Sequence, residues 1–333
     1  MIAPFVTKRV SVLVLAMLAA CATDREGPVA VIGASNAAFD DAPWSEPVNL
    51  GAPVNSPVQE QNPALSPDEL SLYFVSNRTD LPGEQGGNDI WVSQRACLTC
   101  PWGTPVNLGP TINTPNGDAG PNISQDGHLL FFTSNRPDET GTTDNDLYVS
   151  DRADPRDDFG WGAPVKLGPG VNSTISEFSP QYLPSAGDGE VNFYFQRGLG
   201  GGSATNELYM ASVSRNGETF ADAVPIAELN DPTTADGGPS VRRGGREILF
   251  NSGRAGRIGS VDIWVSTRPN VGDAWSPPQN VGTPVNNPIG GSRDPDLSLD
   301  GRTLVFMTNR PGSILNAAGN PSDDIWISIR ERR

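Results

Sequence analysis

Imidazole is almost missing from this sequence: His128 is its single histidine, and only three cysteines, Cys21, Cys97 and Cys100, accompany it. This lone histidine offers no convincing Ser-His-Asp or Cys-His arrangement, and it leaves too few ligands for a Cys/His zinc site. His128 follows the Asp126-Gly127 turn and reads as an exposed turn residue. Cationic side chains are scarce as well, with 23 Lys and Arg against 39 Asp and Glu and a formal net charge of −16. An acidic surface repels phosphates and anionic headgroups, which excludes nucleic acid as an expected partner. Long apolar runs are also lacking. Val10 to Met17 is too short to span a bilayer as a permanent helix, and no stretch has a helical period.

What is present begins with an export signal. Lys8 and Arg9 precede the apolar Val10–Met17 stretch, and Leu18-Ala19-Ala20-Cys21 follows. This run resembles the bacterial lipobox, so residues 1–20 are expected to be removed as a lipoprotein-type signal, with lipid attached to Cys21. Ala22 after the cysteine implies outer-membrane sorting, and the expected location is the cell envelope, facing the periplasm or the surface. Loss of Lys8 and Arg9 takes the net charge from −16 to −18. Residues 21–43, rich in Ala, Gly, Asp and Pro, read as a flexible tether, and the lipid is the only membrane contact expected. Cys97 and Cys100, in Cys-Leu-Thr-Cys, are expected to form a local disulfide in that oxidising compartment.

A repeat fills the rest. Trp44-Ser-Glu-Pro-Val-Asn-Leu-Gly returns at Trp102, Trp161 and Trp275, with a degraded copy at Phe220, at spacings of 58, 59, 59 and 55 residues. Each copy carries, in order, an Asn (Asn55, Asn113, Asn172, Asn230, Asn286) and a Pro opening a short strand (Pro63, Pro121, Pro180, Pro239, Pro295). A polar turn, an aromatic-rich strand ending in Arg, and a strand led by an acid and an aromatic follow. Gly (37) and Pro (31) are abundant, as tight turns between short strands require. Four strands per copy and five copies specify an all-β, five-bladed β-propeller over 44–333, with four-stranded antiparallel blades. The chain enters at Trp44 with an outer strand and leaves at Asp324–Arg330 with a third strand. The N-terminal strand is therefore expected to complete the last blade and close the ring.

At Ser66-Pro67-Asp68, Val75-Ser76-Asn77-Arg78 and Asp89-Ile90-Trp91-Val92 the chain resembles the TolB-type, WD-like propeller repeats of bacterial envelope proteins. That resemblance covers 44–333 and departs from the usual pattern at Glu69, where Gly is customary. It implies a fold rather than an activity, because such repeats serve binding, scaffold and accessory proteins alike.

Carboxylates are the remaining candidates for chemistry. Glu60, Asp118, Glu177 and Asp236 stand three residues before the repeated Pro, and the fifth copy has Ser292 there with Asp294 one residue before Pro295. Innermost strands line a propeller channel, so Glu60, Asp118, Glu177, Asp236 and Asp294 are expected at one channel mouth as a ligand site. Arg78, Arg136, Arg197, Arg254 and Arg310 are expected on the same face beside Asp89, Asp146, Glu207, Asp262 and Asp324. Two readings follow: an electronegative site for a cation such as calcium or a hydroxyl-rich ligand, or structural ion pairs holding loops in register. The tryptophans are expected to pack blade against blade. Asp144-Asn145-Asp146 and Asp294-Pro295-Asp296 are too short for a calcium loop. Departures from the repeat occur at Arg242-Arg243-Gly244-Gly245, at Gly198–Gly202 and at Ile289–Asp294, and mark candidate partner contacts.

The functional expectation is a monomeric, non-catalytic envelope lipoprotein, without a cofactor, that binds a protein or glycan partner. Alternatives are a glycosidase-like, carbohydrate-active enzyme using two channel-mouth carboxylates, and a calcium-stabilised structural propeller. Catalysis would demand two carboxylates in unlike environments, whereas the repeated acids look alike.

Overall fold

The computed structural model describes residues 43–137, 141–184, 191–198, 206–213 and 219–331. The expected signal, Cys21, all but the last residue of the tether and most of the Gly198–Gly202 run lie outside the described residues. The propeller lies within Ala37–Arg333.

Five four-stranded antiparallel sheets form the blades. The innermost strands are Glu60–Leu65, Asp118–Ile123, Glu177–Pro184, Asp236–Val241 and Ser292–Leu297 in blades one to five. Blades one to four finish with their own outer strand, the first being Val106–Asn107. Blade five takes its outer strand, Val48–Asn49, from the start of the chain, pairing Val48 with Ile327 and Asn49 with Trp326. Asn55 reinforces the closure. Its side chain accepts the Ile325 N–H and donates to the Ile325 carbonyl, both at 2.9 Å, standing in for one more residue of strand. The same two-way clip joins Asn113 to Ile90, Asn172 to Leu147, Asn230 to Leu208 and Asn286 to Ile263. This explains the repeated Asn.

Second strands are apolar on both faces because each blade is covered on both sides by a neighbour. In Ser71–Ser76, Leu72 and Phe74 pack with Val305 and Ile325 of blade five. Tyr73 and Val75 turn to Leu130 and Phe132 of blade two. Antiparallel strands usually alternate with water on one side; here both sides are core, and each large side chain so buried contributes roughly 1.5–3 kcal/mol.

Every innermost strand carries a β-bulge at its repeated proline, as at Gln61/Ala64 and Arg293/Asp296. Proline has no N–H for the ladder, so the register must slip there. The residue ahead of each proline turns left-handed: Asn62, Gly120, Ser179, Gly238 and Asp294 have φ between 45° and 56°. These bulged residues and their prolines form a ring around the axis.

Candidate active site

The repeated acids are not open to the channel mouth. Glu60, Asp118, Glu177 and Asp236 are each 0% exposed and hold the loop that enters their strand. Thr114 donates its N–H and hydroxyl to Asp118, and Ser173 donates likewise to Glu177. In blades two to four the arginine of the second strand closes the arrangement. Arg136 meets Asp118 at 2.8 Å, Arg197 meets Glu177 at 2.8 Å and Arg254 meets Asp236 at 2.6 Å. Each arginine also donates to a loop carbonyl, those of Ile112, Val171 and Leu229.

Blades one and five depart from this. Arg78 turns away to Asp80 at 3.0 Å and to the Val54 carbonyl. Glu60 is left with Ser56 and Ser76 as its hydrogen-bond donors, and burial pushes its carboxyl up to about 8. In blade five Ser292 replaces the acid, and Arg310 donates to the Val285 carbonyl. The third-strand acids serve a separate task. Asp89, Asp262 and Asp324 accept from Asn107, Asn280 and Asn49 of the outer strands, and Asp146 pairs with Lys166 at 2.7 Å. Glu207 sits opposite Arg197 in the ladder. Cys97 and Cys100 are joined as a disulfide.

A second set of arginines, which the repeat reading passed over, works on the opposite face. Arg95, Arg152, Arg268 and Arg330 stack on Trp102, Trp161, Trp275 and Trp44 at 4.4, 4.2, 4.2 and 4.4 Å from the ring centroids. Three of them cross to the preceding blade: Arg152 to Tyr73, Arg268 to Tyr194 and Arg330 to Glu247. Their signal was in the sequence, an arginine six residues after the third-strand acid in four of the five copies, with Val213 in blade three.

Two carboxylates do reach the axis, both from blade five. A cavity of about 30 Å³ on the axis is lined by the bulge ring together with Asp294 and Asp296. Space of this size suits a water molecule or two and no sugar ring. The other blades place Asn62, Gly120, Ser179 and Gly238 where Asp294 stands, so the repeat offers no second acid at that level. Gly238 makes the room: a Cβ there would fall 3.1 Å from the Asp294 carboxylate and 2.6 Å from Asn251.

Both aspartates face the innermost strand of blade one. Asp294 accepts the Asn62 N–H, and Asp296 accepts the Leu65 N–H at 2.8 Å. Part of the Asp294 surface opens onto the cavity, but protein walls that space and little water solvates the charge. Burial pushes Asp294 up to about 6 against the pull of Arg293, and pushes Asp296 up to about 7 against the Leu65 N–H. Both carboxyls are thus held above the usual carboxylate range, toward the neutral region where acid–base catalysis operates. Among the described residues, no group of three or more His, Cys, Asp or Glu side chains converges as a metal site.

No protein-family description and no curated protein matches the chain. Solved structures do. An α-L-arabinofuranosidase from Lactobacillus brevis superposes with a TM-score of 0.53 at 13% identity, covering 84% of this chain and 91% of its own. The catalytic domain of a Coprinopsis cinerea GH62 α-L-arabinofuranosidase does so at 0.53 and 12%, covering 87% and 98%. A further glycoside hydrolase reaches 0.58 at 11%, covering 88% and 92%. At such identities the likeness shows the fold.

These matches correct three expectations. The chain's structural neighbours are glycoside hydrolases and not TolB-type, WD-like repeat proteins. The Ser-Pro-Asp, Ser-Asn-Arg and Asp-Ile-Trp motifs encode a turn, an arginine grip and a loop anchor, which any blade of this geometry can use. The expectations of a non-catalytic binding module and of no enzyme activity are corrected on the same finding, since the solved structures that share this fold are glycoside hydrolases. The carbohydrate-active alternative had been set aside because the repeated acids are alike. The axial pair, Asp294 and Asp296, is the one that breaks the repeat.

Proposed function

We propose that the protein is a glycoside hydrolase whose axial carboxylates, Asp294 and Asp296, carry the acid–base chemistry. The observation that bears the reading is this pair: two carboxyls at the channel, titrating at about 6 and about 7. The base is assigned to Asp294, which opens onto the cavity, and the acid to the more enclosed Asp296. In the hydrolysis Asp294 takes a proton from the attacking water, whose oxygen bonds to the anomeric carbon. The glycosidic bond breaks, and the leaving oxygen takes a proton that Asp296 supplies through water in the axial cavity. Return of the proton from Asp294 to Asp296 resets the site. Since the cavity admits only water, the sugar stops at the mouth. The named activity of the structural neighbours makes α-L-arabinofuranosides the first substrates to test. Lipid on Cys21 would hold such an enzyme at the cell envelope, where a polysaccharide or its fragments would be met.

Turnover of aryl glycosides, including 4-nitrophenyl α-L-arabinofuranoside, and of cell-wall polysaccharides tests this. Asp294→Asn and Asp296→Asn are each expected to lose about 10²-fold or more in kcat/KM, and the wild-type profile to be bell-shaped around pH 6–7. Full activity in both variants, or no turnover by the wild type across the panel, would discard the reading.

A further inference from the structure

Space for a sugar does exist next to the channel. A groove of about 640 Å³ lies between blades four and five, lined by Arg254, Arg257, Arg293, Thr234, Ser260 and Asn251 among others. Two residues of its lining adjoin the proposed site. Asn251 accepts the Asp294 N–H at 3.2 Å, and Arg293 is the residue next to Asp294.

Three arginines converging on one groove run against the composition of a chain with net charge −16. Their states differ. Arg254 is committed to Asp236, to the Leu229 carbonyl and to Ser252, and forms a wall. Arg293 approaches Asp323 only to 3.8 Å, beyond hydrogen-bond length, so its guanidinium is incompletely paired. Arg257 is exposed, donates to the Gly253 carbonyl at 2.7 Å and has no carboxylate within ion-pair distance among the described residues. A guanidinium has five donors in a planar fork, so Arg257 and Arg293 hold N–H groups in reserve for a planar anion. Between them the backbone is kept slim: a Cβ on Gly291 would fall 2.8 Å from the Ser260 hydroxyl and 3.2 Å from the Arg293 guanidinium.

We infer that this groove binds an acidic sugar, a hexuronate unit of a polysaccharide, with its carboxylate held by Arg257 and Arg293. The inference rests on the glycan reading above and narrows it to acidic chains. Thr234 and Ser260 supply the hydroxyl partners a sugar ring needs. Two adjacent guanidinium groups in an otherwise acidic molecule then select against neutral sugars and against the protein's own acidic surface.

Calorimetry or ligand-observed NMR on the intact protein, with D-galacturonate, its methyl ester and inorganic sulfate as probes, tests the site. Saturable binding of the acid is expected in the millimolar range, with the ester bound about tenfold or more weakly, as loss of one charged hydrogen-bonded contact implies. Arg257→Gln should weaken binding of the acid by about tenfold, while Arg257→Lys, which keeps the charge, retains part of it. Arg257 is exposed and makes a single backbone contact, so these variants are expected to fold, which a melting curve checks. Equal binding of acid and ester, sulfate binding as tightly as the acid, or no effect of Arg257→Gln would each overturn the inference. Binding is read without turnover. An active enzyme that ignores galacturonate refutes only this site, and an inactive one that binds it refutes only the hydrolytic reading.

Discussion

Asp294 occupies a backbone conformation that side chains seldom adopt, at φ 47°, where Gly120 and Gly238 fill the equivalent places in two other blades. A non-glycine residue in that region costs on the order of 1 kcal/mol, and burying its carboxylate adds to the cost. The second of these is expressed in its raised titration. A carboxyl that titrates at about 6 in the fold and near 3.8 in the open chain keeps its proton more tightly when folded. Its stabilising contribution is therefore complete below the lower value and disappears as pH rises through the higher one. A displacement of that size corresponds to about 3 kcal/mol. Asp296, at about 7, and Glu60, at about 8, act in the same direction. The melting temperature is accordingly expected to fall between about pH 5 and about pH 8. Asp294→Asn tolerates the left-handed backbone, keeps an acceptor for the Asn62 N–H and removes the charge. Followed by circular dichroism, it should melt higher than wild type at neutral pH and with a shallower pH dependence. A wild-type melting temperature that rises over this range would contradict the assignment of all three groups.

Among the elements, the blades are joined below the channel by the second arginine set. Arg152 shows the arrangement most fully. It stacks on Trp161, donates to the Gly127 carbonyl, meets Asp158 at 2.8 Å and reaches Tyr73 of blade one. Asp158 in turn accepts from Ser71, Tyr73 and Gln94 of blade one, so one buried ion pair locks two blades together. Removing one member of such a pair leaves a charge without compensation. Arg152→Ala is expected to destabilise by about 3–5 kcal/mol, whereas Arg156→Ala, whose pair with Asp154 is exposed, should change little. Thermal unfolding of the two variants side by side checks this, and equal melting temperatures would refute it. The spacing that announces Arg95, Arg152, Arg268 and Arg330 was present in the repeat. It was passed over because stacking and interblade reach are visible only once the tryptophans are seen beneath the guanidinium groups.

For the whole molecule, stability depends on the meeting of the chain's early and late strands. The hydrogen bonds from Ser45 and Leu50 to Ile329 and Ile325, together with the Asn55 clip, hide the last edge of blade five. A chain lacking residues 44–50 keeps five innermost strands yet bares the Asp324–Ile329 strand as an unpaired edge, a template for pairing with another molecule. Such a truncation is expected to melt lower and to self-associate, as light scattering would detect. An unchanged melting temperature in a monomer would show that closure contributes nothing.

The sequence by itself determined the blade count, the strand order, the closure and the positions of turns. These depend on alternation, proline, glycine and a period of 55–59 residues, all local properties of the chain. Which acids face the axis was decided only by tertiary structure. Glu60, Asp118, Glu177 and Asp236 share the Asp294 neighbourhood in the linear repeat, but the bulge at each proline rotates the strand. It turns the repeated acids into the loops and leaves Asp294 and Asp296 on the channel. A slip of register of that kind changes which way a side chain points while leaving the repeat in the sequence untouched, so no spacing rule announces it.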